Sequence, residues 1–358
     1  MSRPPDVALI YRTPLCRMQS LCVRIKCRNF AQLNMYDMHR IINQLCMAMS
    51  AAFMHGVSCR KLWMRVALGA IVAVGMGADA AAQVLWRVAA DGPDGVRHTS
   101  YVLGTMHTVE PEMLDTLAGL AEALECATVV YGEVDASDMA LSSEALACAI
   151  APSDSTLQCL LSPAALDSVC RYVSTFGVDG ARTVDVLGKM KPAMLDAFLE
   201  VRRSGVSTDV SPDIALQYRA RAMGREVRAL ETAEQQMYML MSTPIAEQLE
   251  SLMESVRAPE AAQAASDSLV AAYHRQDLAA IEGLLAREMG QAYAERMLYA
   301  RNRAWAAVLV PEMRCRSVLV AVGAGHLVGP EGLLALLCKA GYYISPVGGS
   351  APLPEQGK

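Results

Sequence analysis

Two segments of the chain share one design, in which an apolar run ends in Gly-x-x-His. Residues 101–107 read YVLGTMH, and residues 318–326 read VLVAVGAGH. Glycine lets the backbone turn away at the end of a strand without a steric penalty. Each motif would then present its histidine at the carboxyl edge of a sheet, where open α/β sheets bind ligands. Only six histidines occur in the chain, so two in equivalent positions favour a functional pair, His107 and His326, over two unrelated structural residues.

A carboxylate follows a third apolar run. Residues 127–131 (ATVVY) are uncharged and lead directly into GEVD, which contains Glu133. Two imidazoles and one carboxylate form a common ligand set for a divalent ion that keeps a position open for water, as hydrolysis requires. The sequence therefore predicts that His107, His326 and Glu133 bind a divalent metal ion, for which zinc, manganese and cobalt are all suitable.

Asp135 lies two residues beyond Glu133. Both side chains would share one face if the extended chain continued. Asp135 would then be a second ligand, a residue that supports a ligand, or a carrier of protons. A solvated loop acid or a helix cap is the alternative interpretation.

Three further polar residues are candidates for catalysis. Glu231 follows a predicted buried strand at residues 226–230, where it could be a general base, a ligand or simply the acid at a helix start. Arg301 and Asn302 stand in the segment RNRAW. Arginine can hold a carboxylate or an oxyanion with two parallel donors, and asparagine offers a donor and an acceptor. Trp305, four residues after Arg301, predicts an inward-facing position for that arginine.

The elements that would position these residues alternate between strand and helix. This alternation predicts an α/β (α+β) fold with a central mixed sheet, flanking helices and a helical insertion in the middle. No linker interrupts residues 84–358, which we expect to form one domain. The predicted strands and hairpin lie at residues 84–106, 127–131, 226–230, 317–322 and 342–347, and the predicted helical segments lie at 111–124, 137–205, 212–223, 244–309 and 329–339.

Charge is unevenly distributed along the chain. Residues 1–65 hold ten Lys or Arg against two acidic residues, a net charge of +8, whereas the remainder has a net charge of −13. Nucleic acids and anionic membranes both need clustered basic side chains as partners. The acidic body therefore argues against both.

The boundary between the two compositions resembles a secretory signal. A basic stretch at residues 60–65 precedes thirteen uncharged residues, 66–78, and then the small-residue run at 80–82. A membrane-spanning helix needs roughly 20 apolar residues, so a permanent anchor is the weaker interpretation. We expect translation to start at Met64, residues 64–82 to be a cleaved signal peptide, and residues 1–63 to be a non-native extension, which predicts a periplasmic or secreted protein. A cytosolic or transit-like leader is the alternative.

Six cysteines lie in the predicted domain. An even number in an oxidising compartment permits up to three disulfides, whose pairing the sequence does not determine. The alternative, small buried hydrophobic residues, suits two of them that lie on apolar helical faces, Cys126 and Cys338. The other four are Cys148, Cys159, Cys170 and Cys315.

Several motifs occur together in an order that resembles the TraB/GumN family, which includes the pheromone-shutdown proteins and is similar to the Tiki-type metalloproteases. The resemblance covers residues 84–350. The motifs are LWRV, YVLGTMH, VVYGEVD, the Lys191-Pro192 pair, ALETAEQQ, RNRAW and the tail VAVGAGHLVGPEGLLALLCKAGY.

This resemblance implies a fold similar to the haem-binding ChaN and erythromycin-esterase proteins. It also implies a metal site formed by His107, His326 and Glu133, with Arg301 and Asn302 beside it. Tiki-like members are membrane-tethered proteases that depend on manganese or cobalt, whereas GumN-type members are associated with exopolysaccharide gene clusters. This chain would have no tether after signal cleavage, which leaves the substrate undefined.

The sequence thus predicts an exported metal-dependent hydrolase whose substrate is a peptide or protein. Glu231 or Asp135 would move protons, while Arg301 and Asn302 would stabilise the oxyanion. Two other classes of protein fit the same residues. One is a protein that binds a peptide or porphyrin in the same cleft without turnover, and the other is an accessory protein of exopolysaccharide production.

Overall fold

The computed structural model describes residues 83–137, 143–206 and 210–347. The predicted extension at 1–63 and the predicted signal peptide at 64–82 lie outside these residues. Within the described part of the chain, no helix is both long enough and apolar enough to cross a membrane.

Six strands form one mixed sheet in the order β4-β3-β5-β2-β1-β6. Strands β4, β3, β5 and β2 run parallel to one another, whereas β1 runs antiparallel to both β2 and β6. This arrangement confirms the predicted mixed sheet. The strands are β1 (Leu85–Asp91), β2 (Arg97–Thr105), β3 (Val129–Gly132), β4 (Glu226–Ala229), β5 (Val318–Gly323) and β6 (Tyr343–Pro346).

Strands β2 and β5 lie side by side at the middle of the sheet. Gly104 pairs with Val322 and Thr105 with Gly323. The register therefore brings the two Gly-x-x-His motifs out of the sheet at the same edge. Every residue of β5 is buried, because a parallel strand covered by helices on both faces is apolar throughout.

The helices flank the sheet and fill the two long connections on either side of β4. The described residues contain fourteen of them: α1 (Leu120–Cys126), α2 (Ser143–Ala149), α3 (Leu157–Leu160), α4 (Pro163–Ser174), α5 (Gly180–Leu187), α6 (Pro192–Ser204), α7 (Pro212–Ala222), α8 (Ala233–Leu240), α9 (Ile245–Arg257), α10 (Pro259–His274), α11 (Leu278–Glu288), α12 (Gln291–Ala294), α13 (Ala300–Met313) and α14 (Leu333–Lys339).

The first predicted helix is divided in the structure. Residues Pro111–Thr116 form a 3-10 helix, and α1 begins only after Gly119, whose φ is 80°. A Cβ atom at this position would also come within 2.3 Å of Val347 Cγ1. The positive φ and this close approach both favour glycine, and the break turns the chain toward the sheet.

The strand that precedes Glu231 was expected to be buried, but β4 is the edge strand of the sheet. Glu226 and Ala229 at its two ends are exposed, and the two residues between them are half-buried. Beyond the strand, the Leu230 and Glu231 amides both donate to the Glu133 carbonyl. Glu231 is therefore positioned by these backbone bonds rather than by a buried strand.

All six cysteines of the described chain are free thiols. Cys126 and Cys338, which the sequence suggested as buried hydrophobic residues, are both exposed. Each lies near the last turn of a short helix, α1 or α14. The apolar faces of these helices are filled instead by leucine and alanine side chains.

Candidate functional site

The guanidinium of Arg301 is the centre of a buried polar cluster at the carboxyl edge of the sheet. Its Nη2 donates to Glu133 Oε2 at 2.6 Å and also to Glu231 Oε1. Its Nε donates to Glu231 Oε2 at 3.1 Å, and its Nη1 lies 2.9 Å from His326 Nε2. Three side chains that the sequence predicted as functional are thus brought together by a fourth.

Glu133 follows β3, and three groups hold its carboxylate. Its Oε1 accepts the Gly323 amide at 2.8 Å, and its Oε2 accepts Gln236 Nε2 at 3.0 Å as well as Arg301. Burial opposes ionisation, but Arg301 and the nearby histidines outweigh it and lower the pKa of Glu133 to about 2. Glu133 is therefore a buried carboxylate with fixed orientation.

His326 has a defined tautomer because Asn302 is itself fixed. The Asn302 amide nitrogen donates to the carbonyls of His326 at 3.2 Å and Glu331 at 2.8 Å. The Asn302 oxygen therefore faces His326 Nδ1, 2.7 Å away, and that nitrogen must carry the proton. The lone pair of His326 lies on Nε2, which accepts from Arg301 and is 3.8 Å from Glu133 Oε1.

The imidazole of His326 is also neutral. Its side chain is fully buried. Burial and the adjacent Arg301 cation together lower the pKa of His326 to about 3, although Glu133 acts in the opposite direction. At neutral pH the Nε2 atom therefore carries a lone pair and no proton.

His107 is paired with a carboxylate that the sequence analysis missed. Its Nδ1 contacts Asp213, in the first turn of α7, and Asp213 also accepts from the Thr105 hydroxyl. Burial opposes the charged form of His107, but the contact with Asp213 outweighs it and raises the pKa of His107. Within the described residues, His107 Nε2 is buried without a hydrogen-bond partner.

Glu231 is linked to Glu133 by an amide as well as by Arg301. Gln236 Nε2 donates at 3.0 Å to both carboxylates. Gln236 lies in α8, whose start is fixed by a capping box between Thr232 and Gln235. Burial raises the pKa of Glu231 even though Arg301 opposes the shift, so this acid holds its proton more readily than Glu133 does.

The helix that carries Arg301 has an irregular start. A single π-helical turn, Glu295–Tyr299, precedes α13, and such turns often occur at functional sites. The Arg301 guanidinium lies 4.5 Å from the ring centroid of Trp305, which in turn lies 4.4 Å from the His326 ring. Arg301 is thus held between an indole and two carboxylates, with only 11% of its side chain exposed.

Asp135 has a different set of partners. Strand β3 ends at Gly132, so the extended geometry that would have given Asp135 the face of Glu133 does not continue. The Asp135 carboxylate accepts from Ser137 and Arg221 instead.

Asn302 contacts the Nδ1 side of the His326 ring, away from Arg301. Both protons of its amide are donated to backbone carbonyls.

The donor chemistry of the cluster suits a divalent ion, but the spacing of the side chains does not yet form a site. His326 offers a neutral Nε2, Glu133 is ionised, and His107 has a buried nitrogen without a partner. Each histidine is backed by an oxygen on its other nitrogen, an arrangement typical of metal ligands. Nevertheless, no three His, Cys, Asp or Glu side chains of the described chain are grouped closely enough to hold a metal ion. The lone pairs of His326 Nε2 and Glu133 Oε2 already accept hydrogen bonds from Arg301.

Two missed residues, Asp213 and Gln236, complete the cluster. Asp213 follows Pro212 at a helix start, where an acid is ordinary. Gln236 lies in the segment ALETAEQQ, which the sequence analysis had quoted without giving this residue a role. Nothing in a single sequence distinguishes either residue from a surface polar group.

Comparison with known proteins gives one match. No curated protein and no solved structure matches the chain, so the expected similarity to the ChaN and erythromycin-esterase folds stays a prediction. The profile of the TraB/PrgY/gumN family matches residues 84–346, which include the whole sheet and every residue of the cluster. The chain therefore belongs to the TraB/PrgY/gumN family.

Proposed function

We propose that the protein is a metal-dependent hydrolase that acts on peptide bonds and is exported to the periplasm or secreted. One observation carries this proposal. Two buried histidines leave adjacent parallel strands, and each has an oxygen at Nδ1. The Nε2 atom of His107 has no partner among the described residues, and that of His326 accepts only from the side chain of Arg301. Such a pair beside an ionised glutamate is the chemistry of a hydrolytic metal centre.

In this proposal His107, His326 and Glu133 would hold the ion. A divalent ion at such a centre polarises the substrate carbonyl and makes water acidic enough to attack at neutral pH. Manganese, cobalt and zinc are all compatible with two imidazoles and a carboxylate. Asp213 and Asn302 would orient the two rings through their Nδ1 atoms.

Proton transfer falls to Glu231 rather than to Asp135. Glu231 lies in the cluster, and burial raises its pKa, which brings a carboxyl group closer to the range where it can both accept and give a proton. Asp135 is paired with Arg221 and Ser137. Its role here is to hold the chain that follows β3.

Arg301 would stabilise the negative charge that develops on the substrate oxygen. Its guanidinium is buried and stays a cation, because two carboxylates outweigh the effect of burial and raise the pKa of Arg301. A preorganised cation in a water-poor site stabilises such charge strongly. The Asn302 amide protons are already engaged, so its contribution is to position His326.

The test is elemental analysis of the protein purified without chelator, combined with peptidase assays in the presence of Mn²⁺, Co²⁺ or Zn²⁺. We expect close to one equivalent of metal and metal-dependent cleavage. Both should be lost in the double variant His107→Ala, His326→Ala. The matched control is His98→Ala, in the β1–β2 hairpin, which should keep both. A folded wild type that neither binds nor requires metal would overturn the proposal.

A peptide-binding protein without turnover is the second candidate. Arg301 already neutralises Glu133 and Glu231 by direct ion pairs, so the cluster is balanced without an ion. Glu133→Ala separates the candidates. Loss of peptidase activity with peptide affinity retained supports the hydrolase, whereas a wild type that binds peptide without metal-dependent turnover supports the binding protein.

A further inference from the structure

Arg301 and the proposed metal ion would both need the lone pair of His326. Asn302 fixes the proton of this ring on Nδ1, so Nε2 is its sole acceptor. Arg301 Nη1 lies 2.9 Å from that nitrogen. A metal ion held by His326 would need the same lone pair. An imidazole nitrogen has one lone pair, so it cannot accept a hydrogen bond and coordinate an ion at the same time.

Glu133 shows the same conflict. Its Oε1 already accepts the Gly323 amide, and its Oε2 is bound by Gln236 and by Arg301 Nη2. The charge-assisted bond from Arg301, 2.6 Å long, is the shortest of these contacts. A guanidinium this close to two ligands would also repel a divalent cation, since little water is present to screen them.

We infer that Arg301 is a built-in cation that competes with the divalent ion for His326 and Glu133, so that metal binding requires Arg301 to release both. The inference rests on the proposed function, because it concerns the same ion. It adds that the cluster described above is the closed, self-neutralised form of the centre.

Two contacts would keep Arg301 in the cluster after it releases His326 and Glu133. Glu231 binds its Nε and Nη2 through both carboxylate oxygens, and Trp305 packs on its guanidinium at 4.5 Å. Neither partner is a predicted metal ligand in this proposal. The guanidinium can therefore stay paired with Glu231 while its Nη1 leaves His326.

This release has a chemical consequence. While Nη1 donates to His326 and to the Met297 carbonyl, it has no donor left for a substrate. Leaving His326 frees one of its N–H groups for the substrate oxygen, where negative charge develops during hydrolysis. Metal binding and exposure of the oxyanion donor would thus occur in the same step.

The experiment measures affinity of the chelator-treated, full-length protein for Zn²⁺, Mn²⁺ and Co²⁺ by isothermal titration calorimetry. Arg301→Met keeps the length of the side chain but removes its charge and donors. It should bind the ion roughly 10- to 100-fold more tightly than the wild type, the equivalent of one charge-assisted hydrogen bond. Arg303→Met is the matched control, because this neighbour is exposed and pairs with Glu295 and Glu331.

Arg301→Met leaves two buried carboxylates without a counter-ion, so a second variant protects the test from misfolding. In Arg301→Met, Glu231→Gln one negative charge is removed together with the arginine. This double variant should also bind the ion more tightly than the single variant Glu231→Gln. Both comparisons use affinity and do not depend on activity.

The outcomes separate the two proposals. Tighter binding in the arginine variants supports the competition. Wild-type binding with equal or weaker affinity in both arginine variants overturns the competition and leaves the proposed hydrolase intact. Absence of binding in the wild type and in every variant overturns both.

Discussion

Asn302 shows how much a single buried side chain can determine. It is fully buried and makes three hydrogen bonds, two to backbone carbonyls and one to the His326 ring. The contact of Arg301 with His326 Nε2 requires the same tautomer, because a guanidinium can only donate. The position of the proton on the histidine is therefore set by two neighbouring side chains, one of which, the Asn302 amide, need not touch a substrate.

Asn302→Ala should destabilise the protein by about 2–4 kcal/mol, because it leaves buried polar groups unpaired at about 1–3 kcal/mol each. Urea unfolding followed by circular dichroism measures the loss. Arg303→Ala, one residue away on the exposed face, should leave the urea midpoint close to that of the wild type, because exposed ion pairs contribute little. Equal midpoints for Asn302→Ala and the wild type would contradict the role given to this amide.

At the scale of elements, the structure depends on close contacts between strand ends and helices. A Cβ atom on Gly104, near the end of β2, would lie 3.0 Å from Ala324 Cα and 3.1 Å from Leu327 Cδ2. Those atoms belong to the second Gly-x-x-His motif and the residue that follows it. The first motif therefore needs glycine for close packing, since the position does not require a positive φ.

Gly104→Val should destabilise the protein by about 1–3 kcal/mol through overpacking. The matched control is Gly283→Ala in α11, where nothing lies within 4 Å of the added Cβ, and where alanine should stabilise the helix by about 0.5–1 kcal/mol. Thermal unfolding measures both. A neutral effect of Gly104→Val would mean that the two motifs can separate at no cost.

Helix α6 carries a second buried charge network that is separate from the site. Burial raises the pKa of Asp196, although Arg203 and the Ser251 hydroxyl oppose the shift. A carboxyl group whose pKa is raised on folding stabilises the fold only while it is protonated, below its unfolded value of 3.8. That contribution is lost as the pH rises through the folded pKa.

Asp196→Asn should therefore gain stability relative to the wild type as the pH rises from below 3.8 to neutral. Asparagine can still accept from Ser251 without carrying the buried charge. Urea midpoints measured across this range give the trend. Parallel pH profiles for Asp196→Asn and the wild type would refute the assignment.

At the scale of the whole molecule, the cluster joins residues from segments far apart in the chain. An ion that binds the folded state alone stabilises it in proportion to its concentration, by about 2.7 kcal/mol at 100 times Kd. Adding Mn²⁺, Co²⁺ or Zn²⁺ should therefore raise the melting temperature of the wild type. The variant His107→Ala, His326→Ala should show no rise, and an equal rise in both would place the ion elsewhere.

Much of this architecture follows from local pattern. The apolar runs before Gly104 and Gly323 predict buried strands, and parallel pairing of such strands places His107 and His326 at one edge. The inward position of Arg301 follows from Trp305 at helical spacing. Asp213 does not follow from any pattern, because its contacts with Thr105 and His107 join positions more than one hundred residues apart.

The position of Asp135 was predicted from local periodicity, and the prediction was wrong. Its predicted place beside Glu133 assumed that the extended chain continues past β3, but the strand ends at Gly132. A Cβ on Gly132 would lie 2.4 Å from the Gln217 side chain, and Gln217 also bonds the Val134 carbonyl and the Ala136 amide. A helix residue from a distant segment thus decides where the strand stops, which local periodicity cannot show.

The pairing of β2 with β5 has a consequence for biosynthesis. The Ser100 hydroxyl accepts the amide of Val318, 218 positions later in the chain. The middle of the sheet cannot close until β5 has been synthesised, so the β1–β2 hairpin of a nascent chain is made long before its parallel partner strand. Contacts of such long range slow folding, and the β2 edge of that hairpin has no partner strand until they form.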